Sequence, residues 1–464
     1  MDFEETVKGL RKENGFFSPN LPVYISRAPG RLDLMGGNDD YTGGLVFEST
    51  IREATNAATQ LREDSLIELK SKTAADEGWQ GDFTIDISSL SDENAVRMVA
   101  NRSSSVRWTA YVLGNIFYLR KKYPGLVNSG IKVYMESTVP LNRGVSSSAA
   151  IEVAVMKSAA AAYGIDLAGT EIALACQWVE NAIAESACGI MDQVAVVMGK
   201  QGFIVPMVCQ PCNPEPLIRL PDDLKIWGID SGVSHQVAGI EYEAARAAAF
   251  MGYKIICDNI QIPVTLDESS DIHRYKDPVW NGYLANLSRA EFHEKYETLL
   301  PVQCDRAVYL EEHKIHVDPF TMLREKVIYH VWANTKYAVE ENQRVQFFSE
   351  LSRGASASPS KRAFLLMGEL MYQSHYAYTE CGLGSNATDF IVGLCKKEGI
   401  EKGIYGAKIT GGGAGGTVAI LADKNAGKTI EKIMELYTNA AMGKPYLFEG
   451  SSDGADTYGI LALN

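Results

Sequence analysis

TVPLNRGVSSSAAIEVA, residues 138–154, is the stretch on which the reading of this chain turns. The alternating run GIKVYME (130–136) leads into it as a strand. A turn holding Gly144 and three serines follows, and then an alanine-rich helix, AAIEVAVMKSAAAAYG (149–164). A helix N-terminus presents unpaired backbone N–H groups and the positive end of its dipole, so it can hold an anion. Gly144 would let the backbone approach phosphate oxygens, and the hydroxyls of Ser146, Ser147 and Ser148 can bond phosphate or reach a metal ion. The stretch lacks the lysine of the G-x-x-x-x-G-K-[ST] loop. Taken alone, it reads equally well as a serine-rich helix cap.

Three further segments carry chemistry. GGGAGG at 411–416 lies between the strand-like runs YGAKIT and TVAILA, where five glycines in six residues require unusual backbone angles or close approach of another segment or a ligand. A strand rather than a helix follows it, which argues against a dinucleotide fingerprint. RAPGRLDLMGGNDDYTGG, residues 27–44, sets Arg31 near Asp33, Asp39 and Asp40 on a glycine-flanked loop, a pattern suited to sugar hydroxyls or simply to a solvated acidic loop. ENAIAESACGIMDQ, residues 180–193, offers Glu180 within a helix and Asp192 near the next helix start. One of these carboxylates can bind Mg²⁺ and the other can meet a hydroxyl, or both can be ordinary surface acids.

The chain has 464 residues, Lys plus Arg 44 and Asp plus Glu 58, for a net charge of −14. That balance excludes nucleic-acid binding driven by bulk charge. Apolar residues make up 46%, enough for a substantial core. No apolar run approaches the roughly 20 residues of a membrane span, and the opening MDFEETVKGLRKENG has no apolar signal core, so a soluble, cytoplasmic protein is expected. The eight cysteines are scattered, and the C-x-x-C of Cys209 and Cys212 reads as two unrelated reduced thiols rather than as half a zinc site.

Prolines crowd between Pro211 and Pro221, which marks a lobe boundary: 1–215 and 216–464. Residues 265–320 are irregular and read as an insertion in the second lobe, while GASASPSK (354–361) reads as an exposed loop. SVRWTAYVLGNIFYLRKKY (105–123), TEIALACQWVENAIAESA (170–187, with Thr170 as its cap), EYEAARAAAFMGYKII and KRAFLLMGELMYQSHYAY are expected helices. Strands and helices interleave irregularly, so the expected class is α+β.

In this order the segments resemble the GHMP sugar kinases, a family including galactokinase, homoserine kinase and mevalonate kinase. The serine-rich loop is similar to that family's second motif and KITGGGAGGTVAI to its third. APGR…DYTGG, CGIMDQ and DSGVSHQVAGIEYEAAR (230–246) resemble the galactokinase-like branch. GRLDLMGG, YTGGLVF, CQWVEN, MVCQP, WGIDSG, ECGLGS and YGAKITGGG look most like the kinase domain of plant L-arabinokinases, and the resemblance implies a free-standing kinase domain as an expectation. The resemblance implies a two-lobed GHMP kinase fold with its active site in the cleft between the lobes. It implies an ATP- and Mg²⁺-dependent sugar 1-kinase, a monomer or weak homodimer, whose partner is a small-molecule sugar and neither nucleic acid nor a membrane.

Carried over position by position, the loop Asn142, Arg143, Gly144, Val145, Ser146, Ser147 and Ser148 would wrap the triphosphate, with Gly411, Gly412 and Gly413 as the glycine-rich loop. Ser148 and Glu180 would hold Mg²⁺. Asp192 would meet the anomeric hydroxyl, as base or as orienting group, with Arg31 keeping it ionised and stabilising charge on the phosphoryl group. Asp40, Gly189 and Tyr242 match sugar contacts.

Galactokinases carry Glu-His where this chain has Gly37 and Asn38, and in that family the pair reaches the hydroxymethyl end of galactose. L-arabinopyranose has the ring stereochemistry of D-galactose without C6, so glycine fits a substrate with nothing there to bind. The opposing reading is that glycine opens room for a bulkier C6 group, with Asn38 and Asp39 as replacement contacts. L-arabinose is the expected substrate and D-galactose the alternative. A catalytically silent sugar sensor ranks below both, because it has no need to keep Arg31, Ser148, Glu180 and Asp192 together.

Overall fold

Strands that mix apolar with polar residues build the first sheet. In a computed structural model that describes residues 3–233 and 238–464, β1 (Val23–Met35) and β2 (Leu45–Leu61) pair antiparallel along most of their length. Beyond them lie β3 (Leu66–Ser71), β4 (Asp82–Asp86) and β5 (Ile131–Ser137), in the order β1-β2-β5-β3-β4, with only β3 and β5 parallel. The near end of β2 pairs with β6 (Phe203–Val208). The β1–β2 register shifts between Pro29 and Arg31, an irregularity of the kind that re-aims a side chain beside a functional site.

Helix α1 (Thr109–Lys122) packs on helix α2 (Ser147–Ala162), which lies on β1 and β2; α3 (Gly169–Ala182) packs on both helices, and α4 (Met191–Met198) on α2, α3 and the sheet. α2 is buried on nearly every side. Its alanines, Ala149, Ala150, Ala154, Ala159 and Ala160, let it sit close to both the sheet and its neighbouring helices. Thr170 does not cap α3: the cap is Ala168, whose N–H donates to Glu171 Oε2 at 2.8 Å, and Thr170 lies inside the first turn. α3 also stops at Ala182, short of the expected 187, where the chain turns back and the Ser186 N–H reaches the Glu180 carbonyl.

Within the proline-rich stretch Asn213–Pro214 and Ile218–Arg219 still pair with β6, and the second sheet starts after Pro221. That sheet comprises β7 (Leu224–Asp230), β8 (Ile404–Ile409), β9 (Thr417–Asp423) and β10 (Tyr446–Glu449), all antiparallel in the order β8-β9-β7-β10. Helix α5 (Ala238–Asn259) packs on α6 (Val331–Ala357), α6 packs on α7 (Lys361–Glu380), and α7 lies against β8 of this sheet. GASASPSK is mostly helical rather than a loop. α6 winds on to Ala357 because Ser352 and Ala355 are buried on its inner face, and the break is confined to Ser358–Ser360 around Pro359. The last strand, β11 (Leu461–Leu463), returns to pair with β1.

Residues 265–320 form a short hairpin (Thr265–Asp267 with Arg274–Lys276), several single turns and an eight-residue helix (Arg306–His313), packed beside α5. They share with it a separate apolar cluster built on Tyr253, Trp280, Phe292 and Tyr309. All eight cysteines are free thiols. Among the described residues no helix is long and apolar enough to cross a membrane. The architecture is α+β, and its two sheets meet where β1 approaches the glycine cluster between β8 and β9.

Candidate active site

Backbone contact between two glycine-containing loops builds the centre of this site. Gly144 adopts the left-handed conformation, φ 69°, and lies against the turn after β8. A Cβ on Gly411 would stand 2.6 Å from the Gly144 carbonyl oxygen, and one on Gly416 would stand 2.7 Å from that of Arg143. The glycines of 411–416 are thus explained by close approach of another segment of the same chain. Thr417 Oγ1 clamps the contact by donating to the Arg143 carbonyl at 2.8 Å.

Ser146 precedes α2 with φ 60° and makes no side-chain cap bond. Its hydroxyl donates instead to Asp192 Oδ2 at 2.5 Å, which overturns the simple helix-cap reading. Asp192 sits in the first turn of α4. Its Oδ1 accepts from Arg31 Nε at 2.9 Å and Nη2 at 2.6 Å. The third guanidinium nitrogen, Nη1, donates to the Gly144 carbonyl at 2.7 Å, so one arginine ties the carboxylate to the loop. Burial works against the charge of Arg31, but Asp192, Glu48 and Asp33 outweigh it and raise its pKa.

Glu180 and Ser148 face the same cavity, of about 520 Å³, as Arg31, Gly144, Asp192 and Gly412. Burial pushes the Glu180 carboxyl up to about 7; a hydrogen bond from Ser148 works the other way, and Asp192 adds to the rise. Gln193 Nε2 donates to Glu180 Oε2 at 2.7 Å. Asp40 is buried and accepts the Tyr41 N–H at 2.9 Å, its pKa pushed up to about 6 by burial and by Asp192. Gly189 leaves space for that carboxylate, since a Cβ there would lie 1.7 Å from Asp40 Oδ2. Tyr242 lines the cavity and meets Tyr41 edge-on, ring centres 5.9 Å apart. Of the segment 230–246, residues 234–237 lie outside the described residues.

Asn142, Arg143, Ser147 and Gly413 also line the cavity. Val145 and Gly411 serve from behind: the Val145 carbonyl accepts the Arg31 N–H at 3.1 Å, and the Gly411 carbonyl accepts from the Tyr378 hydroxyl at 3.0 Å. Gly37, Asn38 and Asp39 are not among the residues that line this cavity. A Cβ on Gly37 would lie 2.1 Å from Asp33 Oδ2 and 2.2 Å from the Tyr378 hydroxyl, so position 37 faces a buried cluster. Asn38 is buried with its amide unpartnered, and Asp39 bonds to Thr42.

The sequence reading missed the layer beneath. Glu48 lies 3.3 Å from Arg31 Nε, and Asp33 pairs with Lys408 at 2.6 Å, both side chains wholly buried. The available signal was an acid inside each of the apolar strand runs LVFEST and RLDLM. Also unremarked was a second cavity of about 400 Å³, sharing Asn142, Ser147 and Ser148 with the first and walled by Trp79, Trp108, Tyr111, Leu141 and Ile151.

Comparison with known proteins matches three family descriptions: the galactokinase galactose-binding signature at 15–61, the GHMP kinases N terminal domain at 110–200 and the GHMP kinases C terminal region at 360–438. An L-arabinokinase of Arabidopsis thaliana is 34% identical over 99% of this chain, and the chain spans 48% of that relative's length. A galactokinase of Chloroflexus aggregans is 28% identical, with 87% of this chain and 84% of that protein covered. The crystal structure of Lactococcus lactis galactokinase complexed with galactose has the same fold, with a TM-score of 0.75, 20% identity and coverage of 98% of this chain and 99% of that one.

Proposed function

We propose, for a chain that belongs to the GHMP kinases and within them to the galactokinase-like branch, transfer of the γ-phosphoryl group of ATP to the anomeric hydroxyl of a galactose-like sugar, with L-arabinose the preferred acceptor and L-arabinose 1-phosphate the product. The observation that carries this reading is Asp192, gripped by Arg31 and Ser146 at the mouth of the Gly144 loop and in one cavity with Asp40.

Phosphoryl transfer asks the protein mainly for positioning and electrostatic stabilisation. The N-terminus of α2, with Ser147 and Ser148, holds the triphosphate by its free N–H groups and hydroxyls. The adjoining cavity between Trp79, Trp108 and Tyr111 offers flat apolar walls for the adenine. Asp192 keeps acceptor capacity on Oδ2 for the hydroxyl proton of the sugar. Arg31 orients that carboxylate and turns its charge toward the phosphoryl group in transfer. Asp40 holds a ring hydroxyl from the other side.

Glu180 and Ser148 are the residues that would hold Mg²⁺. A hydroxyl and one buried carboxylate, raised toward 7 by burial, suit a hard cation that keeps water and phosphate oxygens as its other ligands. Among the described residues no cluster of three or more His, Cys, Asp or Glu side chains forms a complete metal cage. Bound magnesium supplies neutralisation of charge on the phosphate oxygens.

The L-arabinose preference rests on the 34% identity over nearly the whole chain. D-galactose is the second reading, favoured by the galactose-binding signature at 15–61. A coupled ADP-release assay over L-arabinose, D-galactose, D-galacturonate and D-glucuronate tests both, with kcat/KM expected highest for L-arabinose. Preference for galactose replaces the acceptor; no turnover with any sugar removes the kinase reading.

A further inference from the structure

We propose that Arg246 is a specificity-determining residue, its Nη1 donating to the ring hydroxyl whose proton Asp40 accepts. The inference rests on the sugar-kinase reading. Arg246 lies on α5 one turn beyond Tyr242, so both side chains share the face of the helix turned to the site. It lines a small cavity of about 80 Å³ whose wall includes Asp40, Cys188 and Gly189, three residues that also line the main cavity. The remaining wall comes largely from the 265–320 insertion and from Asp318 and Phe320 just at its end. That volume holds a few water molecules or part of a ligand.

The guanidinium is fixed on every side. Its Nε donates to Asp318 Oδ2 at 2.7 Å and its Nη2 to Oδ1 at 2.9 Å, while the rings of Tyr41, Phe320 and Phe250 surround it at 5.1, 5.4 and 5.8 Å. Arg246 is 3% exposed, yet Nη1 is buried with no hydrogen-bond partner. A buried N–H on a cation is costly to leave unpaired, so this donor is held for an acceptor that arrives from outside the protein. Arg246 acts on Asp40 directly enough to lower its pKa against the rise caused by burial. Asp40 offers an acceptor and Arg246 a donor, and a hydroxyl, being both donor and acceptor, matches the two at once. With Asp318 neutralising Arg246, the pair selects a neutral hydroxyl without demanding an anion.

The test measures sugar binding by calorimetry on the full chain, independent of turnover, with L-arabinose, D-galactose and the 2-, 3- and 4-deoxy forms of whichever binds better. Arg246→Met combined with Asp318→Leu removes both charges of the ion pair together, so Asp318 is not left as a buried unpaired carboxylate. Arg246→Lys keeps a cation beside Asp318 but loses the guanidinium fork and Nη1 with it, which preserves the test if the double variant does not fold. Either variant is expected to weaken the parent sugar about tenfold or more, yet to bind one deoxy sugar as wild type does. In turnover the loss should appear in sugar KM, with kcat at saturation little changed. Equal weakening for every deoxy sugar, or no weakening, overturns the role of Arg246 alone. Wild-type protein that binds none of these sugars overturns the sugar-kinase reading and this inference with it.

Discussion

Placing glutamate at Gly37, as galactokinases have it, should cost stability rather than redirect sugar choice. A Cβ at that position would stand 2.1 Å from Asp33 Oδ2 and 2.2 Å from the Tyr378 hydroxyl, far inside contact distance. Neither neighbour can retreat: Asp33 is held by Lys408 at 2.6 Å and is wholly buried, as is Tyr378. The Gly37 carbonyl is itself pinned by the Tyr337 hydroxyl at 2.5 Å. Gly37→Ala therefore overpacks the cluster, at about 1–3 kcal/mol. Gly37→Glu adds a second carboxylate beside Asp33 with no new cation, and about 3–5 kcal/mol is expected, as for other uncompensated buried charges. Against a typical total of about 5–15 kcal/mol, the glutamate variant should show a greatly lowered urea midpoint, and the alanine variant should remain folded. The kcat/KM ratio of D-galactose to L-arabinose should be unmoved in Gly37→Ala. A Gly37→Glu, Asn38→His double variant with a native urea midpoint and a ratio shifted toward galactose would refute this reasoning and put position 37 on the sugar wall.

Asp192→Asn should lower kcat by about 10²–10⁴-fold while calorimetry finds ATP affinity preserved; near-native kcat would remove Asp192 from the chemistry. Glu180→Gln should raise the Mg²⁺ concentration needed for half-maximal turnover, since an amide is a poorer ligand for a hard cation, and an unchanged Mg²⁺ titration counts against that role. Asp40 has a folded pKa raised by burial from 3.8 to about 6, so its contribution to stability is fully present below 3.8 and is lost as pH rises through 6. Asp40→Asn should accordingly stabilise the sugar-free protein at pH 8, by up to roughly 3 kcal/mol, while weakening sugar binding. A variant less stable than wild type at pH 8 would contradict the sign.

The sequence alone determined the segment on which the fold turns, although not every helix end or cap, as Thr170 and GASASPSK show. Strand, glycine turn, serines and helix at 130–164 are local in origin, because alternation, backbone freedom at Gly144 and alanine propensity act over a few residues. The glycine cluster at 411–416 announced a close approach in the same way, without saying to what. The tertiary structure alone decided which side chains meet. Ser146 could cap its own helix or bond elsewhere, and it is the placement of Asp192, 46 residues on, that drew its hydroxyl away. Gly37 carries no side chain to reveal its direction, so an alignment with a sugar-binding glutamate was legible while its aim into the Asp33–Tyr378 cluster was not. The pairing of Arg246 with Asp318, across an irregular insertion, has no periodicity to betray it. Burial first, and the charge of Asp192 with it, set the Asp40 and Glu180 carboxyls near 6 and 7, and both depend on which distant segments the fold packs around these side chains.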